Sequence, residues 1–114
     1  CEVRECIHLS TNKSIALKRM SKTKMNHNLF EREVLILREL RHENIINFID
    51  CYMDIDNYYI ATSLCSGGEL FDRIVKATKF SEKIASKLIK QMLLSIQHCH
   101  NKYIAHRDLK PENF

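Results

Sequence analysis

Three polar side chains of complementary type crowd one short stretch of the chain: Asp108, Lys110 and Asn113 fall within six residues. A carboxylate, a cation and an amide oxygen make the set that phosphoryl transfer demands. The carboxylate orients an attacking hydroxyl and accepts its proton, the cation meets the transferring phosphate, and the amide oxygen is a hard ligand for Mg²⁺. Their spacing puts all three on one tight loop. Without its neighbours, however, a charged stretch with a Pro turn is also what an ordinary solvated loop looks like.

Such a loop needs rigid elements to position it. Ser81 has the chemistry of an N-cap, and Ile84, Leu88, Met92, Ile96 and Cys99 recur at three- and four-residue steps. They predict a long amphipathic helix running to about His100 and delivering the chain into the loop. Further upstream, Ser66-Gly67-Gly68 holds the only glycines and marks a break in composition. Before the break the chain reads as mixed β with one helix, and after it as helical. Cys1 to Leu9 and Ser14 to Met20, separated by the polar Ser10-Thr11-Asn12-Lys13, predict an antiparallel strand pair. Leu29, Phe30, Val34, Leu37 and Leu40 predict a helix over 26–40. Ile45 to Tyr52 and Tyr58 to Leu64, rich in Ile, Phe and Tyr, predict a second hairpin about Asp54-Ile55-Asp56-Asn57.

Composition narrows the function classes. The 114 residues are 45% hydrophobic and 28% charged, within the range of a globular domain with one modest core. The net charge of +4 comes from scattered Lys and Arg with no basic block, so nucleic acid is not the expected partner. Five cysteines, odd in number and without a C-x-x-C pair, argue against a disulfide framework and a zinc site, and fit a reducing, cytoplasmic setting. No run approaches the roughly 20 apolar residues of a membrane span, and no signal-like segment leads the chain. Asp54-Ile55-Asp56-Asn57 lacks the glycine and glutamate of a calcium loop and reads as a turn. His98-Cys99-His100 offers soft ligands, but neighbours on a helix diverge, so Cys99 is expected in the core and His100 at the helix end.

The whole string His106-Arg107-Asp108-Leu109-Lys110-Pro111-Glu112-Asn113 resembles the catalytic loop of eukaryotic protein kinases at all eight positions. The resemblance implies that Asp108 is the catalytic base, that Lys110 contacts the γ-phosphate and that Asn113 binds a magnesium ion. His106 would pack as a spine residue with Leu37 and Phe48, and Arg107 would be open to an activation-segment phosphate. Ile15-Ala16-Leu17-Lys18 resembles the strand whose lysine holds the α- and β-phosphates of ATP, and Glu33 stands where that family places the lysine's helical partner. Glu31 is the alternative; two residues earlier, it points about 200° around the helix, so only one of the two can face Lys18. The separation from Lys18 to Glu33 is a few residues shorter than is usual in the family.

Leu64 to Asp72 resembles the hinge and following helix of calcium-dependent and calcium/calmodulin-dependent protein kinases. On that alignment Thr62 is the gatekeeper, and Ser63 and Cys65 offer backbone groups to the adenine edge. Glu69 reaches the ribose or a basic residue of the substrate, while Val3 and Ala16 sandwich the adenine. Ser63 stands where most relatives carry an acid, and Cys1 falls on a glycine position of the phosphate loop.

The implied fold is α+β and protein kinase-like. Residues 1–64 would be a small β-rich lobe with one regulatory helix, lacking the start of the glycine-rich loop. Residues 65–114 would be the hinge and the first helices of the large α-helical lobe, through the catalytic loop. The implied function is ATP- and Mg²⁺-dependent phosphorylation of Ser/Thr hydroxyls on protein substrates. Glu69 and Glu112 imply Arg upstream of the target, with calcium or calmodulin control through regions outside this chain. The alternative is a pseudokinase or scaffold domain, against which Lys18, Glu33, Asp108, Lys110 and Asn113 all argue. At about 25 cal/mol per Å² of apolar surface, the helix stripe left without its partners implies that these residues alone neither fold stably nor phosphorylate anything.

Overall fold

The computed structural model describes residues 2–77 and 81–114. They form two units, Cys1–Arg41 with Ile46–Cys65, and His42–Ile45 with Ser66–Phe114. The first contains strands β1 (Glu2–His8), β2 (Lys13–Ser21), β3 (Phe48–Met53) and β4 (Asn57–Ser63), and helix α1 (His27–Glu39). Both predicted strand pairs form, and the strands are antiparallel throughout. Their order is β1-β2-β4-β3, so β4 rather than β3 lies against β2, with α1 in the connection between β2 and β3.

Local chemistry accounts for the element ends. Asn12 adopts φ 53°, a left-handed conformation that Asn tolerates, and its amide donates to the His8 carbonyl at 2.8 Å to close the β1–β2 turn. The Asn26 side chain caps α1 by accepting from the Leu29 amide at 2.9 Å. Asp54 Oδ1 accepts from the amides of Asp56 (2.8 Å) and Asn57 (2.6 Å), the turn expected there, and Oδ2 accepts from the Tyr59 hydroxyl at 2.6 Å.

Residues opposite one another in an antiparallel ladder share a face. The register therefore puts Val3, Ala16, Lys18, Met20, Tyr58, Ile60 and Thr62 on one side of the sheet. On that side Met20, Tyr58 and Ile60 meet Phe30 and Val34 of α1 in the core, with Met25, Leu37, Phe48 and Cys51 packed against them. Phe48 and Cys51 are an odd number of residues apart and would normally face opposite ways. An irregularity in the register between Phe48 and Asp50 turns both toward the core. Phe30 stacks on Tyr58 with ring centroids 4.3 Å apart.

Ile60 is 1% exposed and Leu35, on the outer side of α1, 62%. Ile60→Ala is expected to cost about 2–5 kcal/mol, whereas Leu35→Ala should stay within about 0.5 kcal/mol of the parent. Denaturant midpoints of the complete protein check the contrast.

The second unit holds α2 (Leu70–Lys76), α3 (Glu82–Asn101) and a single 3₁₀ turn, Pro111–Asn113. Ser81 caps α3 through its hydroxyl, which accepts from the Ile84 amide at 3.3 Å. The buried stripe of α3 differs from the expected one at its edges. Successive steps of four residues drift by about 40°, which carries Ile84 out of the stripe, and it is 51% exposed. The buried positions are Ser95 and Cys99. Ser95, invisible to a count of apolar residues, satisfies its hydroxyl on the Met92 carbonyl at 2.7 Å. The imidazoles of His42 and His98 lie 5.1 Å apart. Helix α3 ends with Tyr103 at φ 58°, its amide donating to the His100 carbonyl (2.9 Å) while the Ile104 amide reaches Cys99 (3.0 Å). This is a Schellman closure with Tyr where Gly usually stands.

Candidate active site

Lys18 lies on the core side of β2, between Ala16 and Met20, and opposite Val3. Its Nζ donates to Glu33 Oε1 at 2.6 Å, with the two side chains 36% and 30% exposed. Glu33 lies three residues after the buried Phe30, on the same face of α1, and so looks toward the sheet. Glu31 faces elsewhere and meets His27 Nε2 at 3.1 Å, an i,i+4 pair along the helix. The structure thus chooses between the two glutamates that the sequence left open. Ala16 lies opposite Thr62 in the β2–β4 ladder, and Val3, 62% exposed, leaves apolar surface open on the same side. The Ser63 amide donates to the Asn47 carbonyl at 2.9 Å. Cys65 ends this unit as an exposed residue, and Cys1 lies outside the described residues.

In the second unit the loop after α3 folds onto itself around Asp108. Arg107 adopts φ 67°, a left-handed conformation uncommon for its residue type, and the Asp108 amide donates to His106 Nδ1 at 3.2 Å. His106 is itself exposed. Pro111 then starts the 3₁₀ turn, where a missing amide hydrogen costs nothing. That turn carries Asn113 back, and its Nδ2 donates to the Asp108 carbonyl (2.7 Å) and to Asp108 Oδ2 (3.0 Å). Lys110 Nζ lies 3.2 Å from the same Oδ2. Because the Asn113 amide nitrogen is spent on Asp108, its Oδ1 is the atom left as an oxygen ligand.

The Asn113 hydrogen bond, followed by the Lys110 ammonium, holds the Asp108 carboxyl below the ordinary carboxylate range. A folded-state pKa below the unfolded one means that these contacts contribute fully above the ordinary value near 4. They are lost as pH falls through the lowered one. A carboxyl-carbon NMR titration should place Asp108 below that ordinary value. Asn113→Ala and Lys110→Met should each raise it toward that value, since each removes a contact that holds the carboxyl down.

Glu69 precedes α2 without capping it, and its carboxylate has no ion-pair partner among the described residues. The Leu70 amide donates to the Phe114 carbonyl at 2.7 Å, tying the start of α2 to the end of the 3₁₀ turn. Sequence reasoning missed this contact and the His106 contact, because neither depends on a spacing or residue type that carries a signal.

A four-stranded antiparallel sheet packed on one helix, a lysine–glutamate pair between them, and a self-bonded Asp–Lys–Asn loop after a long helix define a protein kinase domain. The family model "Protein kinase domain" matches residues 1–114, and the chain belongs to that family, with the α+β fold the resemblance implied. Within it the chain is similar to the calcium-dependent protein kinase group. Calcium-dependent protein kinase 5 of Plasmodium berghei is 42% identical over 110 residues, covering 96% of this chain and 20% of that protein. Calcium-dependent protein kinase 24 of Arabidopsis thaliana is 43% identical over 115 residues, with 96% and 20% covered. A probable myosin light chain kinase of Dictyostelium discoideum is 39% identical over 114 residues, covering 97% of this chain and 29% of that protein. The chain spans about a fifth of the length of these calcium-dependent kinases. No helix among the described residues is long and apolar enough to cross a membrane.

Proposed function

We propose that this chain supplies the phosphate-holding pair and the catalytic loop of a serine/threonine protein kinase. The observation that carries the reading is the loop itself, where Asn113 and Lys110 converge on the Asp108 carboxylate. An ionised, exposed carboxylate orients a substrate hydroxyl and accepts its proton, while Lys110 supplies a cation for the γ-phosphate. Lys110 two residues after the base favours Ser/Thr over Tyr targets. Residues 1–64 act as the small lobe, and residues 65–114 as the hinge and first part of the large lobe.

The residues present fit ATP and Mg²⁺. Lys18, held by Glu33, suits the α- and β-phosphates, and Val3 and Ala16 offer small apolar surface to the adenine. Thr62 would lie behind it, and backbone groups of Ser63 and Cys65 would meet its edge. The oxygen left on Asn113 suits a hard cation. When bound, the nucleotide and metal supply the phosphoryl group and neutralise its charge. Glu69 and Glu112 favour substrates with Arg upstream, and the names of the relatives support calcium or calmodulin control acting through segments outside this chain. A cytoplasmic setting fits the five cysteines. The 114 residues alone are not expected to fold stably or to catalyse transfer.

The test is phosphate transfer by the complete protein from labelled ATP with Mg²⁺ to Ser-, Thr- and Tyr-containing peptides, with Arg or Ala upstream, with calcium and with a calcium chelator. Label on Ser or Thr, greater with Arg and with calcium, is the expected result. Tight ATP·Mg²⁺ binding without label on any peptide would instead establish the scaffold alternative.

A further inference from the structure

The turn ahead of α2 carries Glu69, and it begins with the two glycines of the chain. Gly68 stands at φ 77°, where no side chain stiffens the backbone. A carboxylate presented from such a turn aims at a substrate group only if the turn is held from both sides. One side is held by the Leu70 amide, which donates to the Phe114 carbonyl at 2.7 Å, next to Asn113 of the catalytic loop. The other side is held from within α2, where the Arg73 guanidinium donates through both Nε and Nη2 to the Gly67 carbonyl, each at 3.2 Å. Gly67, Gly68, Glu69, Asp72, Arg73 and Lys76 line one shallow pocket, with Ala77 at its end. Arg73 directs its fork at a neutral carbonyl, and neither Glu69 nor Asp72 has an ion-pair partner among the described residues. The pocket therefore keeps two carboxylates without a direct ion pair, beside the cations Arg73 and Lys76.

From this we infer that Arg73 is a positioning residue for substrate selection: it clamps the Gly67 carbonyl so that Glu69 faces a cationic side chain of the substrate. The inference rests on the proposed reading of Glu69 as the receptor for an upstream Arg. Charge and geometry make opposite demands here, which makes the role testable. Removing the positive charge of Arg73 leaves the pocket more negative and by electrostatics alone would tighten a basic peptide. Losing the clamp loosens Glu69 and weakens it. Arg73→Met removes both charge and clamp, whereas Arg73→Lys keeps the charge but not the fork.

The experiment measures kcat and KM of the complete protein, its Arg73→Met, Arg73→Lys and Glu69→Gln variants, on a Ser peptide with upstream Arg and on its Ala analogue. Both Arg73 variants are expected to raise KM for the Arg peptide about fivefold. The kcat, KM for the Ala peptide and KM for ATP should stay unchanged. If Glu69→Gln abolishes the preference for Arg but both Arg73 variants keep it, the inference is overturned and the reading of Glu69 stands. If the parent shows no preference for Arg, or Glu69→Gln leaves it intact, the reading of Glu69 fails and takes the inference with it. A fall in kcat on both peptides alike, with a lowered Tm, shows a merely structural arginine and also overturns the inference.

Discussion

Asp108→Asn is expected to lower kcat for phosphate transfer by about 10²–10⁴-fold, the range supplied by a positioned general base. The substitution removes the ability to accept a proton and little else. An Asn at this position still presents one oxygen to Asn113 Nδ2 or to Lys110 Nζ, which lie 3.0 and 3.2 Å from the carboxylate oxygen they share. The carbonyl of residue 108, which takes the shorter Asn113 contact at 2.7 Å, is untouched. The side chain is 65% exposed, so no core packing depends on it. Nucleotide affinity should therefore match the parent, and Tm should fall only slightly through the lost charge on this exposed side chain, while kcat collapses. A steady-state assay beside a nucleotide titration separates the two, and equal kcat in the variant would remove Asp108 from the chemistry.

Lys18→Met is expected to cost about 10²-fold in kcat/KM for ATP, the size of one charge-assisted contact to phosphate. Met keeps the length of the side chain and removes its charge, leaving the half-buried Glu33 carboxylate without its cation. Glu33→Gln should be milder, about tenfold, because its amide oxygen still accepts from Lys18 and only the carboxylate charge is lost. Glu31→Gln should change nothing in the reaction, since Glu31 is paired with His27 on another side of α1. Kinetics of the three variants at varied ATP concentration check this order. If Glu31→Gln proved as damaging as Glu33→Gln, the pairing assigned to Lys18 would be wrong.

How far these features could be read in the sequence depended on whether they were written in residue type and spacing. The helix over 26–40 was legible because apolar residues at three- and four-residue steps must share one face, and α1 spans His27–Glu39. The turn at Asp54 was legible because its side chain competes for nearby amides. The order of strands was not, because a hairpin pattern does not say which partner a strand takes on its other edge; β4 sits against β2. Ser95 was missed for a related reason: a buried hydroxyl bonded to a backbone carbonyl looks polar in any count of apolar residues. In the loop, the identities of Asp108, Lys110 and Asn113 could be read directly. The route by which Asn113 returns to Asp108 depends on Arg107 at positive φ and on the 3₁₀ turn begun by Pro111, neither of which a residue count reveals.

The central claim is that this chain carries the base of a phosphotransferase and not only the outline of one. Single-turnover rapid quench of the complete protein with γ-labelled ATP, Mg²⁺ and a serine peptide tests it most directly. The account predicts a labelled phosphoserine peptide approaching one equivalent per protein for the parent, and almost none for Asp108→Asn in the same time despite equal bound nucleotide. Nucleotide bound without any transfer by the parent, or the same transfer rate in the variant, would contradict it.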